Sequence, residues 1–259
     1  MYAIVLAGGY AKRLWPLTLG VPKALLPVAG KPILDYIVEK LRALNPPLTH
    51  IVLSTNMLFQ PQFQAWLDTK SYSSIKLVPD ASSNEKQKPG AIKAIANIIK
   101  KEPKDDVLVI AGDGVFTDNL LGFLEAFNKK NGSVVALYEV ANLEEAKRCA
   151  TVTVDGEGKL LDFVEKPAKP TTTLVCGAVY AFKRGVNRRF SKYLALKLPT
   201  DQPGRFIEWL CRQETVYGYM LKDYLWDIGT HQAYQACNMC FSNSGAIPLI
   251  EKLSEVNPA

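Results

Sequence analysis

Histidine and cysteine, which supply much acid–base, metal and redox chemistry, are scarce in this 259-residue chain. The two histidines, His50 and His231, lie in no pattern typical of catalysis. The five cysteines are an odd number and no export signal precedes them, so we expect reduced thiols. Cys237 and Cys240 form a lone C-x-x-C without a second pair, so we expect neither a zinc site nor a redox centre there.

Long apolar runs are also missing. No stretch of about 18 apolar residues occurs, which predicts that no segment spans a membrane. The N-terminus lacks a basic segment followed by an apolar core, the pattern of a secretory signal. We therefore expect a cytoplasmic protein. The 48% apolar content is enough for a sizeable buried core, and neither repeats nor low-complexity segments interrupt it.

Basic blocks with interleaved aromatic residues are absent too, although the chain carries a net charge of +6. The basic residues are spread in pairs such as Lys100-Lys101 and Arg188-Arg189, an arrangement typical of solvated helix faces. We therefore expect no nucleic-acid partner, and a polyanionic substrate would account for part of the positive charge.

The chain does contain a regular succession of apolar segments. Up to about residue 140, predicted helices alternate with predicted strands at 2–6, 51–53, 75–78, 105–110 and 133–140. Such alternation predicts parallel strands with helices on both faces, and ligands bind beyond the carboxyl ends of such strands. From residue 150 the pattern changes to hairpins, and 223–229 is expected to be a loop. We predict an α/β, Rossmann-like fold whose mixed, mainly parallel sheet is flanked by helices, with β-hairpin insertions in the C-terminal half.

The segment after the first predicted strand is built for phosphates. Gly8-Gly9 lets the backbone turn sharply and approach a ligand without interference from a Cβ atom. Two cations, Arg13 and Lys23, follow. The segment has neither the three glycines of the dinucleotide fingerprint nor the Gly-Lys-Ser or Gly-Lys-Thr ending of a Walker loop. Because a guanidinium grips phosphate oxygens in pairs and an ammonium acts as a point charge, we predict a phosphate loop of another kind.

Residues 7–32 resemble the signature of the sugar nucleotidyltransferases, G-G-x-G-T-R-L-x-P-L-T followed by P-K-x-L-L-P-V and G-K-P. This chain reads A-G-G-Y-A-K-R-L-W-P-L-T-L-G-V-P-K-A-L-L-P-V-A-G-K-P, with Ala11 and Lys12 where the family usually has Gly-Thr. The resemblance implies that Arg13 and Lys23 are catalytic residues that grip phosphates. The nucleotide-binding residues that it implies are Leu6, Ala7, Gly8, Gly9 and Gly90.

Downstream motifs extend the resemblance. Asp113 follows the fourth strand in G-D-G, and Asp227 lies in W-D-I-G-T. Both match the family's carboxylates for Mg²⁺, a cation that takes hard oxygen ligands, and Asp113 is also implied to be catalytic. The tripeptide E-K-P matches an element in which the glutamate contacts sugar hydroxyls and the lysine contacts the sugar phosphate. The implied sugar-phosphate-binding residues are Glu165, Lys166 and Gly177.

The base and the sugar stay open at this point. Glu85 and Gln87 lie in the region where the family places a base-reading glutamine. Ala24 replaces a residue that is polar, and near the base, in several members. C-A-T at 149–151 and G-D-G at 112–114 replace the family's Y-G-V and G-D-N, which alters polar contacts near the sugar.

The resemblance implies transfer of a nucleotidyl group from a nucleoside triphosphate, by default dTTP or UTP, to a sugar-1-phosphate, with Mg²⁺ as cofactor and pyrophosphate as product. One alternative is a nucleotidyltransferase for a non-sugar phosphate, resembling a cytidylyltransferase. Another is a non-catalytic regulatory homologue that binds a nucleotide-sugar.

We expect one nucleotidyltransferase domain across residues 1–259. Its nucleotide-binding half would be 1–140, its sugar-binding half 141–243 and its tail 244–259. That tail is too short for the C-terminal β-solenoid of longer relatives. A homo-oligomer is compatible with this organisation.

Overall fold

A computed structural model describes residues 1–222 and 225–243, and the structural statements below concern those residues. The strands are β1 (Tyr2–Leu6), β2 (Pro27–Val28), β3 (Lys31–Pro32), β4 (Ile51–Asn56), β5 (Ile75–Asp80), β6 (Val107–Ala111), β7 (Gly114–Phe116), β8 (Ser133–Glu139), β9 (Ala150–Val154), β10 (Leu160–Glu165), β11 (Leu174–Phe182), β12 (Val216–Met220) and β13 (Leu225–Asp227). The helices are α1 (Ile33–Arg42), α2 (Gln60–Asp68), α3 (Ala91–Lys101), α4 (Leu121–Lys129), α5 (Leu143–Ala146), α6 (Asn187–Ala195), α7 (Pro203–Leu210) and α8 (His231–Asn243).

The central sheet is mixed and mainly parallel, which confirms the predicted fold class. Its strands follow the order β10-β9-β11-β6-β1-β4-β5, and β8 pairs with β11 and β12. Strands β6, β1, β4 and β5 run parallel to one another. Strand β11 lies antiparallel between β6 and β8, and β9 and β10 form the predicted hairpin. The antiparallel strand β11 therefore lies between the parallel strands, which begin with β6, and the hairpin of β9 and β10.

Helices cover both faces of this sheet because successive side chains of a strand point to opposite faces. Ala3 and Val5 of β1 pack with the apolar faces of α1, α2 and α4. Tyr2 and Ile4 of the same strand pack with α3, α6 and α7 on the other face. Burial on both sides explains why β1 reads as an uninterrupted apolar run. In α2, Phe63 and Trp66 are buried and belong to the first of these two cores.

The prediction of a loop at 223–229 is wrong for Leu225–Asp227. These residues form β13, which pairs antiparallel with β7, and Asp227 lies opposite Gly114. A three-residue strand is too short to show alternation, and its partner is more than a hundred residues away in sequence. A Cβ atom at Gly114 would lie 2.5 Å from the Trp226 carbonyl oxygen, so the pairing needs this glycine.

Within the part of the chain that the structure describes, no helix combines the length and the apolar content that crossing a membrane would require. The predicted tail at 244–259 lies outside the described residues.

Candidate active site

The two predicted ligand loops lie side by side at the carboxyl ends of β1 and β6. These strands are parallel neighbours, and Leu6 pairs with Ala111 at their last residues. The backbone N–H of Gly112 donates to the Leu6 carbonyl at 2.8 Å. A Cβ atom on Gly112 would lie 2.8 Å from that same oxygen, so only glycine permits this contact. The loop with Gly8 and Gly9 and the loop with Asp113 therefore share one edge of the sheet, as predicted.

The phosphate loop is tied to the end of β4. The Ala7 N–H donates to the Ser54 carbonyl at 2.8 Å. The Asn56 side-chain amide donates to the Gly8 carbonyl at 2.9 Å and accepts the Phe59 N–H at 2.9 Å. Asn56 is fully buried, so its hydrogen bonds hold the loop in one position. The sequence analysis missed this residue because a lone asparagine at a strand end carries no distinctive pattern.

Ala11 occupies a left-handed backbone conformation, with φ of 45° and ψ of 44°. Glycine is favoured in that conformation, and an L-residue there costs roughly 1–2 kcal/mol. The family signature has its glycine at this position. The Ala11 carbonyl accepts the Thr18 hydroxyl at 2.9 Å and the Leu14 N–H at 2.9 Å. These hydrogen bonds hold the loop in this conformation although alanine occupies the position.

The two cations of the loop differ in environment. Lys23 is 7% exposed, and its ammonium donates to the Asp113 carboxylate at 3.3 Å. Arg13 is exposed, and its guanidinium lies beside Gly229: a Cβ atom there would be 3.6 Å from the Arg13 Nη2 and 3.6 Å from each Asp227 carboxylate oxygen. Lys23 is therefore fixed before any ligand binds, whereas Arg13 is free to turn toward one.

The pairing of β13 with β7 brings Asp227 next to Asp113. Burial and the negative charge of Asp113 raise the pKa of Asp227, while Lys23, Arg13 and Lys166 act in the opposite direction. Two carboxylates and three cations thus converge on one point. The three basic side chains can bind phosphate groups. A metal cation between the two carboxylates would relieve the repulsion between them.

The donor set of this point fits Mg²⁺. Two carboxylates supply hard oxygen ligands, and Mg²⁺ usually takes one or two carboxylates together with phosphate oxygens and waters. Among the described residues no group of three or more histidine, cysteine or acidic side chains is arranged to hold a metal. A metal bound between Asp113 and Asp227 would therefore depend on substrate oxygens for its remaining ligands.

One cavity, of about 300 Å³, extends along the edge of the sheet from the phosphate loop. Asp113, Arg13 and Lys23 line one end of it, and Asp80 and Lys88 line the other. Every predicted nucleotide-binding residue lines this cavity: Leu6, Ala7, Gly8, Gly9 and Gly90.

Gly90 lies at the start of α3 with φ of 84°, a conformation that favours glycine. The Thr200 carbonyl accepts the Ile92 N–H at 2.9 Å, and the Thr200 hydroxyl donates to the Pro89 carbonyl at 2.9 Å. A Cβ atom on Gly90 would lie 2.6 Å from the Thr200 carbonyl carbon. Glycine is therefore required at position 90, because its backbone lies directly against the backbone of Thr200.

We expect Gly90→Ala to lower the free energy of unfolding by about 2–4 kcal/mol, because it adds backbone strain and overlap with Thr200. Urea unfolding followed by circular dichroism measures this loss. The matched control is Gly20→Ala, since a Cβ atom at Gly20 would meet nothing within 4 Å. Equal stability of the two variants would contradict the expectation.

A second cavity, of about 510 Å³, opens on the hairpin side of the same edge. The predicted sugar-phosphate residues Glu165, Lys166 and Gly177 all line it, together with Asp227. Lys166 has a φ of 51°, and its N–H donates to the Cys149 carbonyl at 3.1 Å. A lysine in the left-handed region at a strand end is typical of a side chain that is held for function.

Neutral groups make up the floor of this second cavity. The Tyr138 hydroxyl contacts the Cys149 thiol at 3.8 Å, and burial raises the pKa of both groups, so both are uncharged at neutral pH. Burial also raises the pKa of Glu165, against the opposing charges of Lys166 and Arg205. Hydroxyl, thiol and carboxyl groups around a cavity of this size are suited to sugar hydroxyls.

The two cavities meet at residues common to both, which include Arg13, Ala111, Asp113 and Gly229. The convergence of carboxylates and cations described above lies at this meeting point. A ligand in each cavity would therefore present its phosphate to the same charged groups.

Glu85 and Gln87 lie in the region where the family has its base-reading glutamine, but they do not line the cavity of the phosphate loop. Glu85 forms an ion pair with Lys12, and the Gln87 side-chain oxygen accepts the Ser83 N–H at 3.2 Å and the Ser83 hydroxyl at 3.0 Å. Neither side chain lines the cavity that holds the phosphate loop, whereas Asp80 does. Asp80 carries no sequence signal of this role, because it begins a polar stretch that is typical of an exposed loop.

Comparisons with known proteins identify the family of the chain and relatives of its fold. The model of the nucleotidyl transferase family matches residues 2–244. The bifunctional protein GlmU of Methanocaldococcus jannaschii is 31% identical over 229 residues, which cover 88% of this chain and 51% of that protein. A mannose-1-phosphate guanylyltransferase of Mycobacterium tuberculosis is 28% identical over 234 residues, covering 90% of this chain and 62% of that protein. The chain thus spans between one half and two thirds of the length of these relatives.

The fold has a close counterpart among solved structures. A Bacillus anthracis protein described as a glucose-1-phosphate thymidylyltransferase, solved with sucrose, has a TM-score of 0.80 at 23% identity, covering 96% of this chain and 98% of that chain. At this identity the likeness concerns the fold. The family match across residues 2–244, the sequence motifs and the fold all point to the same family. The chain belongs to the nucleotidyl transferase family, as the resemblance of its motifs to the sugar-1-phosphate nucleotidyltransferases predicts.

Proposed function

We propose that this chain transfers a nucleotidyl group from a nucleoside triphosphate to a sugar-1-phosphate and releases pyrophosphate. The observation that carries the proposal is the meeting of two cavities at Arg13 and Asp113. One cavity follows a phosphate loop, the other is lined by hydroxyl, thiol and carboxyl groups. A site of this shape brings two phosphorylated ligands into contact at their phosphates.

The reaction is an in-line attack by an oxygen of the sugar phosphate on the α-phosphorus of the triphosphate. A bond forms between that oxygen and the α-phosphorus, and the bond to the β-phosphate oxygen breaks. The attacking oxygen is already ionised, so the site needs no general base, in keeping with the lack of a histidine among the residues that line either cavity. Catalysis then depends on positioning and on neutralising the charge that develops.

The side chains divide this work by their positions. Lys23, held against Asp113, faces the α-phosphate, and the more mobile Arg13 stabilises the departing pyrophosphate. Lys166 orients the attacking sugar phosphate, and Glu165 with the backbone at Gly177 contacts the sugar. Asp113 and Asp227 would hold Mg²⁺, which when bound would neutralise charge on the triphosphate.

The names of the relatives leave the base open, since one is a guanylyltransferase and another a thymidylyltransferase. The family resemblance supplies dTTP or UTP as the default. The test is a matrix of GTP, UTP, dTTP, CTP and ATP against glucose-1-phosphate, mannose-1-phosphate and choline phosphate, with Mg²⁺ and a pyrophosphate readout.

We expect pyrophosphate release that requires both a nucleotide and a sugar-1-phosphate. Release with choline phosphate alone would identify the non-sugar nucleotidyltransferase instead. Nucleotide binding without release under any combination would overturn the proposed catalysis and identify a non-catalytic homologue.

A further inference from the structure

The end of the nucleotide cavity away from Asp113 carries an aspartate that no sequence motif identifies. Asp80 is the last residue of β5 and pairs with Asn56 of β4. The strand order β6-β1-β4-β5 separates it from the loop of Asp113 by three strand spacings, about 14 Å. A nucleotide that lies along this edge of the sheet, with its triphosphate at Gly8 and Arg13, would place its base at Asp80.

The Asp80 carboxylate is oriented before any ligand binds. Its Oδ1 accepts the Ser82 N–H at 2.7 Å and also the Ser82 hydroxyl. Ser82 is 2% exposed, and its hydroxyl oxygen accepts the Tyr10 hydroxyl at 3.4 Å. Tyr10 belongs to the phosphate loop. The Asp80 Oδ2 has no hydrogen-bond donor among residues 1–222 and 225–243, so one face of a fixed carboxylate is open to the cavity.

The space around Asp80 accepts a bicyclic base. The nucleotide cavity adjoins a neighbouring one of about 510 Å³, and Ser54, Asp80, Pro89 and Ala94 line both. The α3 residues at this end are small, Ala91 and Ala94, so the helix leaves room above the base. The two adjoining cavities therefore leave room for a purine beyond the strand end, where Gln87, Asn97 and Lys101 also line the space.

A carboxylate can only accept hydrogen bonds, and it accepts best from two adjacent donors. On its pairing edge guanine offers such a pair, N1–H and the N2 amine. Uracil and thymine offer one N–H between two carbonyl oxygens, which a carboxylate repels. Adenine and cytosine offer an amine beside an unprotonated ring nitrogen, which also repels it. Among the common bases only guanine presents two adjacent donors to a carboxylate.

We propose that Asp80 is the base-specificity residue of this site and that the nucleotide it selects is a guanine nucleotide, which would replace the dTTP or UTP default. This inference rests on the proposed function for the location of the triphosphate. The open Oδ2 of Asp80 accepts both N1–H and the N2 amine, because an ionised carboxylate oxygen has two acceptor sites. Ser82 holds the carboxylate in position, and Tyr10 links that serine to the phosphate loop.

The experiment is calorimetric binding of GTP, ITP, XTP, UTP and dTTP with Mg²⁺ and without sugar phosphate. Inosine lacks the N2 amine, so wild type binds GTP about 10- to 100-fold more tightly than ITP, the range expected for a hydrogen bond to a charged acceptor. UTP and dTTP bind at least as weakly as ITP. This comparison needs no variant and therefore no assumption about folding.

Asp80→Asn leaves an oxygen for the Ser82 N–H and places an amine where Oδ2 stood, so the two donors of guanine then face a donor. We expect it to weaken GTP binding about 10- to 100-fold and to weaken XTP binding less, since the same amine can donate to the C2 carbonyl of xanthine. The matched control is Asp68→Asn, the same change at the exposed end of α2, which leaves every affinity unchanged.

Three outcomes overturn the inference: tighter wild-type binding of UTP or dTTP than of GTP, equal binding of GTP and ITP, or an Asp80→Asn variant that weakens all nucleotides alike. The last would identify Asp80 as a ribose or general contact. Because binding is measured without turnover, failure of the proposed catalysis leaves this test intact. A pyrimidine preference with normal pyrophosphate release would remove the base assignment alone.

Discussion

Asp113→Ala is expected to lower kcat for pyrophosphate release by a factor of about 1,000 or more. The substitution removes one of two carboxylates that converge with three cations, and with it the partner of the Lys23 ammonium at 3.3 Å. Charge stabilisation by a metal contributes several kcal/mol to a transition state, and about 4 kcal/mol corresponds to a thousandfold in rate. The measurement is pyrophosphate release at saturating substrates across a Mg²⁺ titration.

Two features separate a catalytic loss from a folding defect in this variant. The Asp113 side chain is 56% exposed, so the thermal midpoint should change little. Nucleotide binding in EDTA should stay within about threefold of wild type, because the phosphate loop and Asp80 are untouched. The control is Asp68→Ala at the exposed end of α2. Full magnesium-dependent turnover by Asp113→Ala would disprove the assignment of Asp113 to catalysis and to the metal.

Lys23→Met is expected to reduce kcat about 100-fold or more while leaving stability equal or higher. The ammonium is buried at 7% exposure and contacts a carboxylate that is itself open to solvent. Replacing a buried charge by an apolar side chain of similar volume is often neutral or stabilising. Removing a positioned charge that meets the developing negative charge costs about 10² to 10³ in rate.

Steady-state kinetics and urea unfolding of the same Lys23→Met preparation test the two halves of this expectation. The matched control is Lys31→Met, which lies in the same segment but pairs with Glu39 on the surface. Its kcat should stay within about twofold of wild type, since exposed ion pairs contribute little. A fall in stability without a fall in kcat would show that Lys23 serves the fold rather than the reaction.

Much of the site was predictable because parallel strands bring their carboxyl ends to one edge. The loop after β1 and the loop after β6 each follow an apolar strand directly, so Gly8 and Asp113 had to lie at the same edge once the alternation was recognised. Arg13 and Lys23 could be assigned to phosphates from residue type and from the family signature. The hairpin of β9 and β10 was predictable from its turn residues, 155–158.

Other parts of the site depend on contacts that have no local pattern. Asp227 comes next to Asp113 only because three residues of β13 pair with β7, and that pairing depends on a glycine at position 114. Asn56 holds the phosphate loop from a different strand. Glu85 lies in the region where the family has its base-reading residue, but its side chain forms an ion pair with Lys12 instead.

The sequence alone thus determined the α/β class, the phosphate loop and the kind of chemistry, because alternation, glycines and cations are local properties of a chain. Only the tertiary structure decided where the two cavities meet and which side chains line them. Asp80 and Gln87 are seven residues apart in one polar stretch, and their sequence does not distinguish them. Their roles differ because β5 ends at the cavity with Asp80, while the chain beyond it turns so that Gln87 bonds to Ser83 instead.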